Sequence, residues 1–319
     1  MDLSALKAAA GSLLPMGGTS VPIIQGRILR IDGDGLAYNC AGNDETEPSG
    51  ARSRVREKIA GFQQACGAEY TVIHLTGSGS HKGHRYAVAR EKPYQGKRSS
   101  SRRPKNWQHL RDLLEAGEFG EVTIDYDREA DDRFAQYGWA DPTNTVIATQ
   151  DKDMNMVPGY HINWNDNQMF YLAPGTFEAV VWDKTFGMKW FWLQMLHGDS
   201  VDNIPGVPKA YGKLCGEVTA AKMLAQATHN GEAAFIVGAA YQSYYEDDWR
   251  HALLEQAALL WMRRGEDATW YDCLNTGGPL SVWSEEGRVY DKWADAYSII
   301  QERIQEATEI NELAATQDN

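Results

Sequence analysis

The chain has little cysteine, and none of it is paired in sequence. Cys40, Cys66, Cys215 and Cys273 are scattered over 319 residues with no Cys-x-x-Cys spacing. That argues against a zinc ribbon or a disulfide framework and fits a reducing cytoplasm. Long apolar runs are also missing, and no stretch approaches the roughly 18 residues of a membrane span. Met1 to Met16 carry Asp2 and Lys7 and no basic leader, so no signal peptide is expected. Positive charge is scarce, with 31 Lys and Arg against 44 Asp and Glu for a formal net charge of −13. Such a balance disfavours a polyanionic partner until its distribution is read. Between His81 and Lys105 nine basic residues face Glu91 alone, a net of +8 that leaves −21 for the rest. A compact basic block on an acidic chain is an electrostatic footprint for nucleic acid. Tyr86, Tyr94 and Trp107 in and beside it offer rings for unpaired bases. The blander reading of such a run is a solvated loop.

What is present is globular. Apolar residues make up 43% of the chain, with 11 Trp and 15 Tyr, enough for a substantial core. Strands are predicted at 27–32, 70–75, 122–124, 145–149 and 160–164, with helices at 51–66, 106–116 and 129–137 between them. This alternation defines an α/β protein with a mostly parallel central sheet flanked by helices. The segment 78–105 breaks the rhythm. It is basic, Gly- and Ser-dotted and poor in aliphatics, and is expected to project as a mobile arch that orders when substrate enters. From 184 to 319 the pattern is helical, with a small strand pair expected at 279–289. Residues 1–25 read as an appendage, and 26–183 as the α/β core.

Carboxylates cluster where these elements end: Asp32 and Asp34, Glu129-Ala130-Asp131-Asp132, Asp151-Lys152-Asp153, and Asp199 with Asp202. Acids at a helix start complement its dipole, and acids after a strand are common in turns, so each motif alone is weak. Side chains just past the carboxyl ends of parallel strands converge on one crevice, however. So many acids there would raise each other's pKa unless cations neutralised them. Oxygen ligands without His or Cys call for Mg²⁺, with Mn²⁺ able to substitute.

Further along, Asp202-Asn-Ile-Pro-Gly206-Val-Pro leads into Gly216-Glu-Val-Thr219-Ala-Ala. A helix, a Gly/Pro turn and a second helix form a helix–hairpin–helix pattern that offers backbone N–H groups to duplex phosphates, often with a monovalent cation such as K⁺.

With these motifs in place, the chain resembles the structure-specific 5′-nucleases, which include flap endonucleases, and most of all the 5′→3′ exonucleases of lytic bacteriophages. The likeness runs from about Arg27 to Leu224. It rests on Asp32-Gly-Asp-Gly, Glu129-Ala-Asp-Asp, Asp151-Lys-Asp, Gly198-Asp-x-x-Asp-Asn-Ile-Pro, and Arg85 with Tyr94…Arg98. The resemblance implies a PIN-like nuclease core, two metal ions and DNA with 5′ ends, nicks or flaps, or an RNA–DNA hybrid, acted on by a monomer in DNA replication or host DNA degradation. It assigns Asp32, Glu129, Asp131 and Asp132 to the first ion, and Asp151, Asp153, Asp199 and Asp202 to the second. Arg85, Lys92, Lys97 and Arg98 would neutralise the scissile and adjacent phosphates. Lys82, Tyr94, Arg102, Arg103, Gly206, Gly216 and Thr219 would contact nucleic acid. The chain departs from the family in three places. No Asp ends the second strand at Leu75-Thr76-Gly77, so Asp34 or water would take its place. Gln95 stands where the arch carries Lys, and the hairpin at Lys209–Cys215 is longer than the family's turn. Two other readings remain: a haloacid-dehalogenase-like phosphatase with Asp32 as nucleophile and Asp34 as acid/base, and a non-catalytic DNA-binding protein.

Overall fold

A computed structural model of the chain describes residues 21–97, 102–283 and 292–317. Most of the expected appendage 1–25, Arg98 and most of the expected strand pair at 279–289 therefore lie outside the described residues. The part of that pair within them, Pro279–Trp283, is a short 3₁₀ helix. The chain divides into two compact units. One takes in residues up to Ser80, then Ser101–Gly187 and Arg264–Asp267; the other holds His81–Ser100, Met188–Arg263 and Ala268–Asn319.

The first unit is built on a six-stranded sheet: β1 (Ile24–Asp32), β2 (Ala68–Thr76), β3 (Glu121–Asp125), β4 (Thr145–Ala148), β5 (Gly159–Ile162) and β6 (Met169–Leu172), in the order β3-β2-β1-β4-β5-β6. The first five strands pair in parallel; β6 returns antiparallel on β5. Its helices are α1 (Gly33–Cys40), α2 (Pro48–Cys66), α3 (Trp107–Glu115) and α4 (Ala130–Ala140). Leu29, Ile31, Ile73, Leu75 and Val146 from the strands pack with Val55, Phe62 and Leu110 from the helices in one buried core. A two-stranded hairpin, β7 (Ala179–Val181) with β8 (Lys184–Phe186), completes the unit. The strand order reverses between β1 and β4, so the crevice at their carboxyl ends is the topological switch point where such sheets bind ligands.

The second unit holds α5 (Met188–His197), a hairpin of β9 (Lys209–Ala210) and β10 (Lys213–Leu214), then α6 (Glu217–Met223), α7 (Asn230–Tyr245), α8 (Trp249–Leu260) and α9 (Ala294–Gln317). Phe191 of α5 meets Trp261 edge-on at 5.6 Å, and both are buried. Among the described residues no helix is long and apolar enough to cross a membrane.

Residues 81–97 of the basic segment pack into the second unit. Arg85 is fully buried, and its guanidinium donates to the carbonyls of Leu259 and Trp261 at the end of α8, at 3.2 and 3.3 Å. A cation suits orphan carbonyls at a helix C-terminus. Glu255 on α8 accepts from the backbone N–H groups of Arg90 and Glu91, each at 2.8 Å. Counting charge hides this: arginines that answer helix ends and acids inside the fold do not repel one another as a free run would.

Candidate metal centre and nucleic-acid interface

Asp32 is the last residue of β1 and caps α1. Its side chain accepts from Gly35 N–H at 2.8 Å and from the Thr149 hydroxyl, just past β4, at 2.9 Å. The same Thr149 oxygen accepts from Asp151 N–H at 2.9 Å, and Asp151 accepts from Asp153 N–H at 2.8 Å. One threonine thus ties together the acids that follow the two strands flanking the switch point. It went unnoticed in the sequence because a lone Thr after a strand carries no motif signal.

Asp131 sits in the first turn of α4, between Glu129 and buried Asp132. Burial pushes the Asp131 carboxyl well above its usual range, helped by repulsion from Asp151, Asp32, Glu129 and Asp153. Asp32 is pushed up to about 6, by burial first and then by Asp34. Six acids are therefore electrostatically coupled in this one unit: Asp32, Asp34, Glu129, Asp131, Asp151 and Asp153. The donor set is oxygen only; Arg111 answers Asp34, and Lys152 Nζ lies 3.3 Å from Asp153. Such a set fits a hard divalent cation.

The end of β2, which lacks the expected Asp, is filled in another way. Asp34 accepts from Thr76 N–H at 3.0 Å and is paired with Arg111 of α3. Arg111 is buried and also donates to the Thr76 carbonyl. The Thr76 hydroxyl accepts from Ala130 N–H at 3.1 Å and so caps the start of α4. Asp34 thus occupies the strand end, with a cation against it. Arg111 is legible only as a basic residue on the buried face of an amphipathic helix.

In the second unit, α5 stops at Gly198, whose φ is +74°. A Cβ there would lie 2.3 Å from the Ile204 carbonyl oxygen, so only glycine fits. Asp199 and Ile204 then exchange backbone hydrogen bonds at 2.8 and 2.7 Å. Asp199 also accepts from Val201 N–H at 2.8 Å, leaving Asp199 and Asp202 buried in one tight turn. Asp202 accepts from the Gln95 amide at 3.0 Å and from the Tyr94 hydroxyl at 3.3 Å. The Lys82 ammonium donates to the Gln95 carbonyl oxygen. An ammonium only donates and a carboxylate only accepts, so the Gln95 amide has a single allowed orientation between them. Tyr94 is buried against Asp202, an orientation that leaves its ring little access to a base.

Among the other expected nucleic-acid contacts, Lys92 and Lys97 are exposed. Arg102 pairs with Asp44 at 2.9 Å, and Arg103 lies over the Trp107 ring at 4.1 Å. Gly206, with φ +64°, closes the turn after Pro205; Gly216 precedes α6, and the Thr219 hydroxyl donates to the Leu214 carbonyl at 3.0 Å.

By comparison with solved structures, the chain has the fold of the 5′-nucleases. No model of a known protein family matches the chain, and no curated protein matches it. Solved structures do. The D15 flap endonuclease of bacteriophage T5, solved as a pseudo-enzyme–product complex with DNA and metal ions, superposes with a TM-score of 0.55 at 15% identity, covering 86% of this chain and 99% of that one. The T5 5′-exonuclease with zinc bound gives 0.52 at 17% identity over the same shares of both chains. The T5 D15 protein co-crystallised with metal ions gives 0.51 at 16%.

Proposed function

We propose that the protein is a Mg²⁺-dependent 5′→3′ exonuclease and flap endonuclease, cleaving phosphodiesters at the 5′ ends of DNA, and of RNA primers paired to DNA, as a monomer. The observation that carries this reading is the crowding of Asp131 by four other carboxylates at the switch point of a 5′-nuclease fold. Asp32, Glu129, Asp131 and Asp132 would hold the first ion. Asp151, Asp153, Asp199 and Asp202 would serve the second, some through water, because Mg²⁺ dehydrates reluctantly. The ions, when bound by these carboxylates, would supply Lewis acidity. The chain's own side chains do the rest. Thr149 fixes Asp32 and Asp151 relative to each other, and the Gln95–Tyr94 pair fixes Asp202. Lys92, Lys97 and Arg98 would neutralise the scissile and adjacent phosphates. Arg85, spent on helix carbonyls, is better read as the anchor of the basic segment than as a phosphate contact. Gly206, Gly216 and Thr219 would seat the duplex behind the cleaved strand, with K⁺ beside them. The phosphatase reading needs Asp34 as a free acid/base, and Asp34 is bound by Arg111 and Thr76 N–H.

The test is a set of 5′-labelled blunt, nicked and flapped duplexes incubated with and without Mg²⁺ and resolved by product length. Short 5′ products that require the metal support the reading. Intact DNA under all conditions, or release of phosphate alone, would overturn it.

A further inference from the structure

Glu255 of α8 is a buried acid, 1% exposed, and a charge is costly to bury unless it is paired and hydrogen-bonded. One of its oxygens accepts both N–H groups, of Arg90 and of Glu91. The other makes no hydrogen bond and faces the Arg303 guanidinium of α9 at 3.6 Å. Arg303 lies between Ile300 and Ile304, whose buried side chains seat α9. One turn before Glu255, the His251 ring nitrogens lie 3.4 Å from Arg90 and 3.3 Å from Arg303. A neutral imidazole has one acceptor nitrogen and can answer only one of these cations. Arg90 has Asp248 at 2.9 Å, so Arg303 is left to Glu255. A glutamine at 255 would keep an oxygen for the same two N–H groups and bury no charge. The fold alone therefore does not call for an acid here.

The backbone that Glu255 grips runs directly to Asp202. Gln95 N–H donates to the Asp202 carbonyl at 2.9 Å and the Gln95 side-chain amide to the Asp202 carboxylate at 3.0 Å. The Asn203 amide donates to the Pro93 carbonyl at 2.9 Å. Pro93 has a fixed φ and restricts Lys92 before it to extended backbone, so the stretch from Arg90 to Gln95 is short and stiff. Behind it a single helical turn, Arg85–Val88, packs on both α8 and α9, with Arg85 and Val88 buried. A shift at Arg90 is passed on to Asp202 rather than absorbed by a loop.

We propose that Glu255 is a positioning residue for Asp202, acting through the backbone from Arg90 to Gln95, and that α9 keeps it charged through Arg303, so that this helix tunes the second metal site. The role of Asp202 as a metal ligand rests on the nuclease reading; the contacts do not.

The experiment follows the full chain by hydrogen exchange, Mn²⁺ titration and 5′-flap cleavage. Glu255→Gln gives the two N–H groups a neutral acceptor in place of a charged one, so exchange at Arg90 and Glu91 should accelerate roughly 5-fold. The melting temperature should hold or rise. The weaker Mn²⁺ ion should lose roughly 2- to 30-fold in affinity, the range of couplings carried by residues that touch no ligand. Arg303→Met should give the same pattern, Arg303→Lys should behave as the parent, and combining Glu255→Gln with Arg303→Met should add nothing to either alone. A purely structural role would move melting and leave the metal untouched. Faster exchange at Arg90 and Glu91 with both ions bound as in the parent overturns the positioning role, and so does no change in either. A parent that takes up two Mn²⁺ ions but cleaves no DNA refutes the nuclease reading and leaves the positioning role standing if the variants weaken one ion. A parent that cleaves while both variants match it refutes the positioning role alone, and a parent that binds no second ion refutes both.

Discussion

If the acids at the switch point exist to hold cations, removing one charge should make the metal-free protein more stable. Asp32→Asn is the informative change. Raising the Asp32 carboxyl from 3.8 to about 6 corresponds to about 3 kcal/mol of unfavourable free energy in the ionised folded state. The sign follows from proton binding. Between about pH 4 and pH 6 the folded state holds a proton that the unfolded chain has released, so stability falls as pH rises through that window and stays low above it. Asparagine keeps an oxygen for Gly35 N–H and is as good a helix cap as aspartate. The Thr149 hydroxyl can turn to accept from the new amide. The variant also removes one of the charges that raise Asp131.

Melting curves in EDTA should therefore show Asp32→Asn several degrees above the parent at pH 8, at about 2–4 °C per kcal/mol. The two should converge below about pH 4, where the carboxyl is protonated in the folded and the unfolded chain alike. Mg²⁺ should reverse the order at pH 8, because a ligand that binds only the folded state stabilises by RT ln(1 + [L]/Kd) and the variant has lost part of its site. A variant that melts below the parent in EDTA at every pH would show that Asp32 is a structural cap rather than a strained metal ligand. So would a gap that does not change with pH.

Asp131→Ala should reduce DNA cleavage by at least 1000-fold, on the order of a lost metal-activation step, while 5′-flap affinity in Ca²⁺ stays within a few-fold; cleavage near the parental rate would remove Asp131 from the metal site. Gln95→Leu takes away the donor that fixes Asp202 and the acceptor for Lys82, and a Mn²⁺ titration should show the weaker ion losing roughly 10- to 100-fold in affinity, with the tighter one unchanged. Replacing Lys92, Lys97 and Arg98 together should lower the salt slope for single-stranded 5′ ends by roughly 2, at about 0.7 per phosphate contact; an unchanged slope would make the segment a solvated surface.

Much of the first unit is legible in the sequence because strands and helices alternate with distinct periods. The five parallel strands fall where Arg27–Asp32, Tyr70–Leu75, Val122–Ile124, Thr145–Thr149 and Tyr160–Trp164 place them, to within a few residues. Helix α1 does not show in that pattern. Gly33-Asp-Gly reads as a turn, and only the Asp32 cap with buried Leu36 and Ala37 makes it helical. Strand β6 is short, and its antiparallel return depends on pairing with β5, which a local pattern does not encode.

The site divides along the same line. Acidic motifs are local in sequence and can be read there; the groups that set their positions are not. Thr149 acts across the sheet on Asp32, Arg111 reaches from a helix to Asp34, and Gln95 meets Asp202 from 107 residues away. None belongs to a run, so none has a spacing to recognise. Gln95 shows the consequence most clearly. In sequence it is a missing lysine, a gap that Lys92 or Lys97 would have to fill. In the fold it is a neutral bridge between the Lys82 ammonium and the Asp202 carboxylate. Writing lysine at 95 would set two ammonium groups against each other. The Gln95→Lys change should therefore weaken the second ion until Lys82 is replaced by Met, and the pair should then bind Mn²⁺ as the parent does. Additive losses in that double-mutant cycle would mean that Lys82 and Gln95 act independently and that no such bridge operates.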